Sequence, residues 1–347
     1  MLVAALACVL FTGCEGAGSG GSPALSAAFL VPETERIGAV VFDAHRAPTD
    51  SVLVSISELG TSHLALVSFG FQEAADNPQL RFTPDVRWFS ESEDGARALS
   101  RRAGELGMGI ILKPQIWIRG GSWSGEINFD REKEWEIWED AYRSYLMHTA
   151  RLAEEIDADL LIIGTELSIA VREREAFWRT LIEDVRSTYS GPITYGANWH
   201  DDYLNVPFWD ALDVIGVQAY FPLSNEPAPD LDAIRDGWNS HLKALQALST
   251  REQRRILFTE LGYRSVPDAA EHPWRWPSRD EQIDPDFRLQ ADLYRGFFES
   301  IWMQPWFAGA VLWKFYPDNG RRGHDTDFTP QGKPAEEVVR SWFMRAD

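Results

Sequence analysis

Cysteine is nearly absent from this chain. Its 347 residues include two, Cys8 and Cys14, both close to the start. The body of the sequence therefore has neither disulfide staples nor a Cys-x-x-Cys metal site. Histidine is sparse as well, and His45, His200, His272 and His324 stand far apart. No His-Glu-x-x-His or other paired spacing occurs, so neither a metal nor any other cofactor is expected. Asp325-Thr326-Asp327 could hold a cation, but a solvated turn is the better reading. No Gly-x-Gly-x-x-Gly or Gly-x4-Gly-Lys-Ser/Thr loop follows the first predicted strand, which argues against a nucleotide-binding fold. A Gly-x-Ser-x-Gly elbow is also missing, which argues against a serine esterase. Positive charge is in deficit: 33 Lys and Arg against 53 Asp and Glu leave a formal net charge of −20. Such a chain repels phosphate backbones, so nucleic acid is excluded as a partner. A neutral substrate meets no such barrier.

Long apolar runs are lacking too. The N-terminal run, Met1–Gly13, is too short to cross a bilayer as a helix. It reads as the apolar part of a signal peptide. Leu10-Phe11-Thr12-Gly13-Cys14 resembles a bacterial lipobox, with Phe11 where Leu is usual and no Lys or Arg before the apolar run. Glu15-Gly16-Ala17-Gly18-Ser19-Gly20-Gly21-Ser22-Pro23 then has the composition of a flexible tether. The expectation is a lipoprotein-type signal peptide over 1–13, a tether over 14–34 and one domain over 35–347. Acyl chains on Cys14 would hold that domain at a bacterial membrane, outside the cytoplasm.

What the chain does have is alternation. Apolar runs at 37–42, 63–69, 108–115, 160–166, 192–197, 214–220, 256–260 and 307–313 read as buried strands. Between and after them, helical periodicity marks 51–59, 93–106, 131–156, 176–189, 231–248, 287–302 and 335–343, with a short helical piece at 206–212. Repeated strand–helix units require a parallel sheet, because each crossover returns the chain to the same end. Eight units favour a closed α/β barrel, the (β/α)8 or TIM fold, in a single domain. Pro114 is expected to interrupt the third strand. The long connections 71–92, 117–130 and 262–286 all follow strand C-termini and would wall the barrel mouth. The last of them carries Trp274-Arg275-Trp276, whose rings would either form a platform for a sugar or pack the loop against the barrel. The chain is rich in tryptophan, with 15, most of which are expected in the core.

Two apolar runs close on a glutamate: Leu160-Leu161-Ile162-Ile163-Gly164-Thr165-Glu166 and Ile256-Leu257-Phe258-Thr259-Glu260. In one parallel barrel both would stand at the same rim. Cleaving a glycosidic bond requires a proton for the leaving oxygen and a carboxylate for the cationic anomeric carbon, and two carboxyl groups supply both. The proton donor must stay protonated near neutral pH, which burial and a neighbouring carboxylate achieve.

Gly164-Thr165-Glu166-Leu167, Lys113-Pro114-Gln115-Ile116-Trp117 and Phe258-Thr259-Glu260-Leu261-Gly262-Tyr263 together resemble glycoside hydrolase family 113, the β-mannanases, in the clan of retaining (β/α)8 glycosidases. The resemblance runs from about Ile37 to Phe343. It implies Glu166 as acid/base and Glu260 as nucleophile. It also implies Tyr220 as the tyrosine bonded to the nucleophile and Trp313 as the floor under the reacting sugar. Thr165 departs from the clan, which mostly has Asn there to grip the sugar 2-hydroxyl. Asn198 and Trp117 are further candidates for substrate contact, with Lys113 and Gln115 beside Trp117.

The resulting expectation is retaining hydrolysis of β-1,4-mannosidic bonds, with carboxyl groups about 5–5.5 Å apart. A neutral polysaccharide or oligosaccharide would be the partner. Two alternatives stand beside it: the same mechanism on another β-linked hemicellulose or β-glucan, and a glycan-binding barrel without catalysis.

Overall fold

A computed structural model describes residues 35–83, 86–276, 282–317 and 323–345. The proposed signal peptide, Cys14 and the whole of the tether lie outside the described residues.

Eight parallel strands form the barrel: β1 (Ile37–Phe42), β2 (His63–Gln72), β3 (Gly109–Ile118), β4 (Leu160–Thr165), β5 (Ile193–Asn198), β6 (Ile215–Gln218), β7 (Ile256–Leu261) and β8 (Phe307–Phe315). Each pairs with the next, and β1 pairs with both β2 and β8, which closes the sheet. A two-residue strand, Leu80–Arg81, adds antiparallel to the end of β2. The helices are α1 (Asp50–Ser57), α2 (Glu93–Glu105), α3 (Glu132–Glu155), α4 (Ser168–Glu173), α5 (Glu175–Thr188), α6 (Leu231–Glu252), α7 (Phe287–Phe297) and α8 (Pro334–Phe343). The fold is the (β/α)8 barrel expected from the alternation.

Strand alternation sorts the apolar residues into two cores. In β1, Ile37, Ala39 and Val41 fill the barrel interior, while Val40 and Phe42 face the helices. The outer core takes most of the aromatic mass. Trp138 on α3 stacks on Tyr142 with ring centroids 4.9 Å apart, and Tyr142 meets Trp178 of α5 edge-on at 5.5 Å. Three of the helix starts, those of α2, α6 and α7, carry side-chain caps. Ser92 accepts from Gly95 N (3.1 Å), Asp230 from Ala233 N (2.9 Å) and Asp286 from Leu289 N (2.8 Å).

The structure departs from the expected elements in three places. Between β5 and β6 there is no α-helix. Two single 3-10 turns, Asp202–Leu204 and Trp209–Ala211, span the crossover instead. The short helix α4 follows Glu166 directly and was not expected. Pro114 does not interrupt β3, which runs on to Ile118. Beyond Leu112, β3 has no ladder on its β4 side, so a residue without an N–H is tolerated there. Pairing with β2 continues through Pro114 to Ile118.

Candidate active site

The C-terminal ends of β3 to β8 bring one set of polar side chains together at the barrel mouth. Glu260 lies within β7 and is 6% exposed. Strict alternation would turn it the wrong way, since Leu257 already faces the interior. A register shift on each flank of β7 corrects this, between Phe258 and Leu261 beside β8 and between Val217 and Gln218 on β6. A bulge of this kind re-aims a side chain. Thr259 Oγ1, next to it, donates to Gln218 Oε1 at 2.7 Å and ties β7 to β6.

Glu166 follows another register shift, between Ile162 and Thr165 of β4. Its backbone is left-handed, with φ 53°, an uncommon conformation for a residue with a Cβ. Three contacts hold the turn. Glu166 N donates to Gly196 O at 2.8 Å, Leu167 N donates to the Tyr195 hydroxyl at 2.6 Å, and Tyr142 OH donates to Ile163 O at 2.8 Å.

The two carboxyl groups have different surroundings. Glu260 accepts from three donors. Gln115 Nε2 reaches Oε1 at 2.8 Å, the Lys113 ammonium binds the same oxygen, and Tyr220 OH reaches Oε2 at 2.7 Å. Glu166 accepts from Asn198 Nδ2 at 2.7 Å on Oε1 and from Trp123 Nε1 at 2.9 Å on Oε2, both neutral donors. Burial among protein atoms, and then the charge of Glu260, push the Glu166 carboxyl up to about 7. The two hydrogen bonds and the Lys113 charge oppose that rise. Tyr220 is pushed well above its usual value by burial and by Glu260, so it stays a donor.

Trp313, near the end of β8, is buried, with Lys113 Nζ 5.5 Å from its ring centroid on one approach and Lys314 Nζ 4.9 Å on another. Lys314 also pairs with Asp43, which follows β1. Trp276 meets Trp313 edge-on at 6.3 Å and is 56% exposed, while Trp274 stacks on Trp199 at 4.9 Å. The two rings of the Trp-x-Trp loop therefore have different settings. One ring packs on the β5 loop, and the other stands open beside Trp313.

Of the residues singled out in the sequence, Glu166, Glu260, Asn198, Tyr220 and Trp313 meet at the mouth. Asn198 is committed on both sides, its Nδ2 to Glu166 and its Oδ1 accepting from His200 N at 2.8 Å. Trp117 stands farther out, exposed and edge-on to Phe69 at 6.2 Å, beside an open cavity of about 570 Å³ that it lines with Phe71 and Arg119. Lys113 does not open on the mouth: it is fully buried against Glu260. Thr165 Oγ1 is buried and has no hydrogen-bond partner among the described residues. Sequence reasoning missed Trp123. It sits in a long loop after β3, and nothing in its spacing shows that the loop folds back over Glu166. Asp327 is engaged by Lys333 Nζ at 3.1 Å. Among the described residues no group of three or more His, Cys, Asp or Glu is gathered as metal ligands would be.

The model of Glycoside Hydrolase Family 113 matches residues 42–333. The solved GH113 beta-mannanase AaManA from Alicyclobacillus acidocaldarius, in complex with ManMIm, is similar at 27% identity with a TM-score of 0.77, covering 89% of this chain and 97% of that one. A complex structure of a GH113 beta-1,4-mannanase is similar at 26% identity with a TM-score of 0.77, covering 90% of this chain and all of that one. A beta-glucuronidase from Bifidobacterium dentium shares the fold alone, at 16% identity and a TM-score of 0.56, with 88% of this chain matching 46% of that chain. Comparison with curated proteins gave no match. The barrel, its paired glutamates and a family match over most of the length agree: the chain belongs to glycoside hydrolase family 113.

Proposed function

We propose that this glycoside hydrolase cleaves β-1,4-mannosidic bonds in mannan or manno-oligosaccharides with retention, by double displacement. The observation that carries this reading is the asymmetry of the carboxyl pair. Glu166 has only neutral donors and is half-protonated near neutral pH. Glu260 is served by three donors, one of them an ammonium, as a carboxylate requires. In the first half-reaction Glu166 gives its proton to the leaving oxygen while Glu260 bonds to the anomeric carbon. In the second, Glu166 takes a proton from water, which attacks that carbon and frees Glu260. Trp313 and Trp276 offer apolar faces to the sugars. The similarity to GH113 beta-1,4-mannanases supports the choice of sugar and linkage.

Glu260→Ala should lower kcat on manno-oligosaccharide by about 10⁴-fold or more with the melting temperature kept. Glu166→Ala should spare the first step for aryl glycosides with good leaving groups. A product released first as the inverted anomer, seen by proton NMR, or turnover of Glu260→Ala near wild type, would refute the assignment. A panel of β-linked manno-, gluco- and xylo-oligosaccharides, with binding measured in parallel, separates mannan from the other substrates and catalysis from mere binding.

The proposal extends to location on the strength of the lipobox-like Leu10–Cys14 segment. Acylation of Cys14 would place the barrel on a bacterial membrane surface, outside the cytoplasm, with the segment after it as a leash. Cys14→Ser should move the protein from the membrane fraction to the soluble one. Wild-type protein lacking acyl chains by mass spectrometry would exclude the anchor.

A further inference from the structure

Among the described residues Lys113 is the buried ammonium in contact with the reacting pair, and its position is unusual. It extends from β3 below Gln115, is wholly shielded from solvent and bonds Glu260 Oε1. An ammonium there has no water to solvate it and must be matched by an anion. Burial accordingly pulls Lys113 below the usual lysine value, and Glu260 and then Glu166 resist that pull. The charge of Glu166 is thus felt at Lys113, and that of Lys113 at Glu166. Tyr294 and Asp202 act from behind Tyr220 and Tyr195, and ionisable groups among the described residues that face the cluster directly include Tyr220, bonded to Glu260, and Tyr195, under Glu166. Both stay neutral, because burial holds their hydroxyls well above the usual range. Lys314, across Trp313, is already paired with Asp43.

The donors also distinguish the two oxygens of Glu260. Oε1 accepts two hydrogen bonds, from Lys113 and Gln115; Oε2 accepts one, from Tyr220. Oε2 keeps the freer lone pair.

Resting on the two-glutamate reading above, we propose that Lys113 is a positioning residue that fixes Oε1 of Glu260 so that Oε2 attacks, and a constant cation around which the negative charge passes from Glu260 to Glu166 and back. Before attack the cluster holds a Lys113 cation, a Glu260 anion and a protonated Glu166, and sums to zero. Attack forms the bond from the anomeric carbon to Oε2, breaks the bond to the leaving oxygen and moves the Glu166 proton onto that oxygen. Glu260 is then a neutral ester, Glu166 is the anion, and the sum is again zero. Lys113 now favours ionised Glu166 when the second step needs a base. Its hydrogen bond to Oε1, by then the ester carbonyl, eases the departure of the Glu260 carboxylate. When water adds to the carbon, its proton returns to Glu166 and the bond to Oε2 breaks.

The test is the pair of pH profiles of Lys113→Met and wild type, with kcat/KM taken on manno-oligosaccharide, whose leaving group needs the Glu166 proton, and kcat taken on 2,4-dinitrophenyl β-mannoside. The alkaline limb of kcat/KM reports Glu166 in the free enzyme, and the acid limb of kcat, when the second step limits, reports it in the glycosyl-enzyme. Loss of the cation should move both limbs to higher pH by about one unit and lower kcat at least about tenfold. Limbs that stay in place while kcat falls would reduce Lys113 to a structural role and overturn the proposal.

A measurement on the wild-type protein guards against a variant that does not fold. After trapping with 2-deoxy-2-fluoromannosyl fluoride, ¹⁵N NMR should show Lys113 as an ammonium at neutral pH; a neutral amine would overturn the proposal. Failure to find the trapped sugar on Glu260 would remove the parent reading as well. A trapped sugar with unmoved limbs removes only this one.

Discussion

Glu166 shows how finely one carboxyl group can be set. Burial and the Glu260 charge drive its value up to about 7, and Trp123, Asn198 and Lys113 restrain it. Trp123 is the cleanest probe, because its indole touches Oε2 without touching Glu260. A hydrogen bond to the ionised form lowers a carboxyl value, so removing the donor raises it. Trp123→Phe keeps most of the ring and loses the N–H. In the proposed double displacement the free enzyme carries the Glu166 proton into the first step, so kcat/KM should fall as pH rises through the Glu166 value. That alkaline limb should therefore move upward by about 0.5 to 1 unit in the variant, the worth of one charge-assisted hydrogen bond at a half-exposed site. A limb that moves downward, or not at all, in kcat/KM profiles would mean that Trp123 does not bond the carboxylate in solution.

At the scale of the element, β7 and β8 show what sequence pattern conveys and what it hides. The eight strand runs were legible because a strand buried on both faces is continuously apolar, and the helices because one face repeats every three to four residues. The bulge that turns Glu260 inward was not legible: Thr259-Glu260 looks like any strand end, and the extra residue is defined only by the neighbours on β6 and β8. Lys113 was read as a sugar contact for a similar reason, since the pattern gives its face but not its depth. Trp123 lay in a loop whose path no periodicity encodes.

Gly309 on β8 is a further position of this kind, with φ 135° and partnered with Ile37 where β8 meets β1. A Cβ there would lie 2.2 Å from Ile37 O. Only glycine takes this backbone freely, and here the seam of the barrel requires it. Gly309→Ala should cost about 2 kcal/mol or more through strain and overpacking. Thermal melts should show a fall of several degrees. An unchanged melting temperature would mean that the seam adjusts at no expense.

For the whole molecule, the net charge of −20 surrounds a reacting cluster that sums to zero when Glu166 holds its proton. The long-range field is therefore negative and acts only on charged ligands. No helix among the described residues is long and apolar enough to cross a membrane. A neutral glycan should approach without steering or repulsion. Raising salt from about 0.01 M to about 0.15 M shortens the screening length from about 30 to about 8 Å. Across that range kcat/KM on neutral manno-oligosaccharide should change by less than about twofold, because there is no substrate charge for the field to act upon. A uronate-bearing chain of the same length should be disfavoured at low salt and should recover as salt rises, since screening removes its repulsion from the acidic surface. Stopped assays at fixed pH and rising sodium chloride read both. A steep salt dependence with the neutral oligosaccharide would show that charge takes part in its capture, and a uronate chain favoured at low salt would show a local basic surface outweighing the global field.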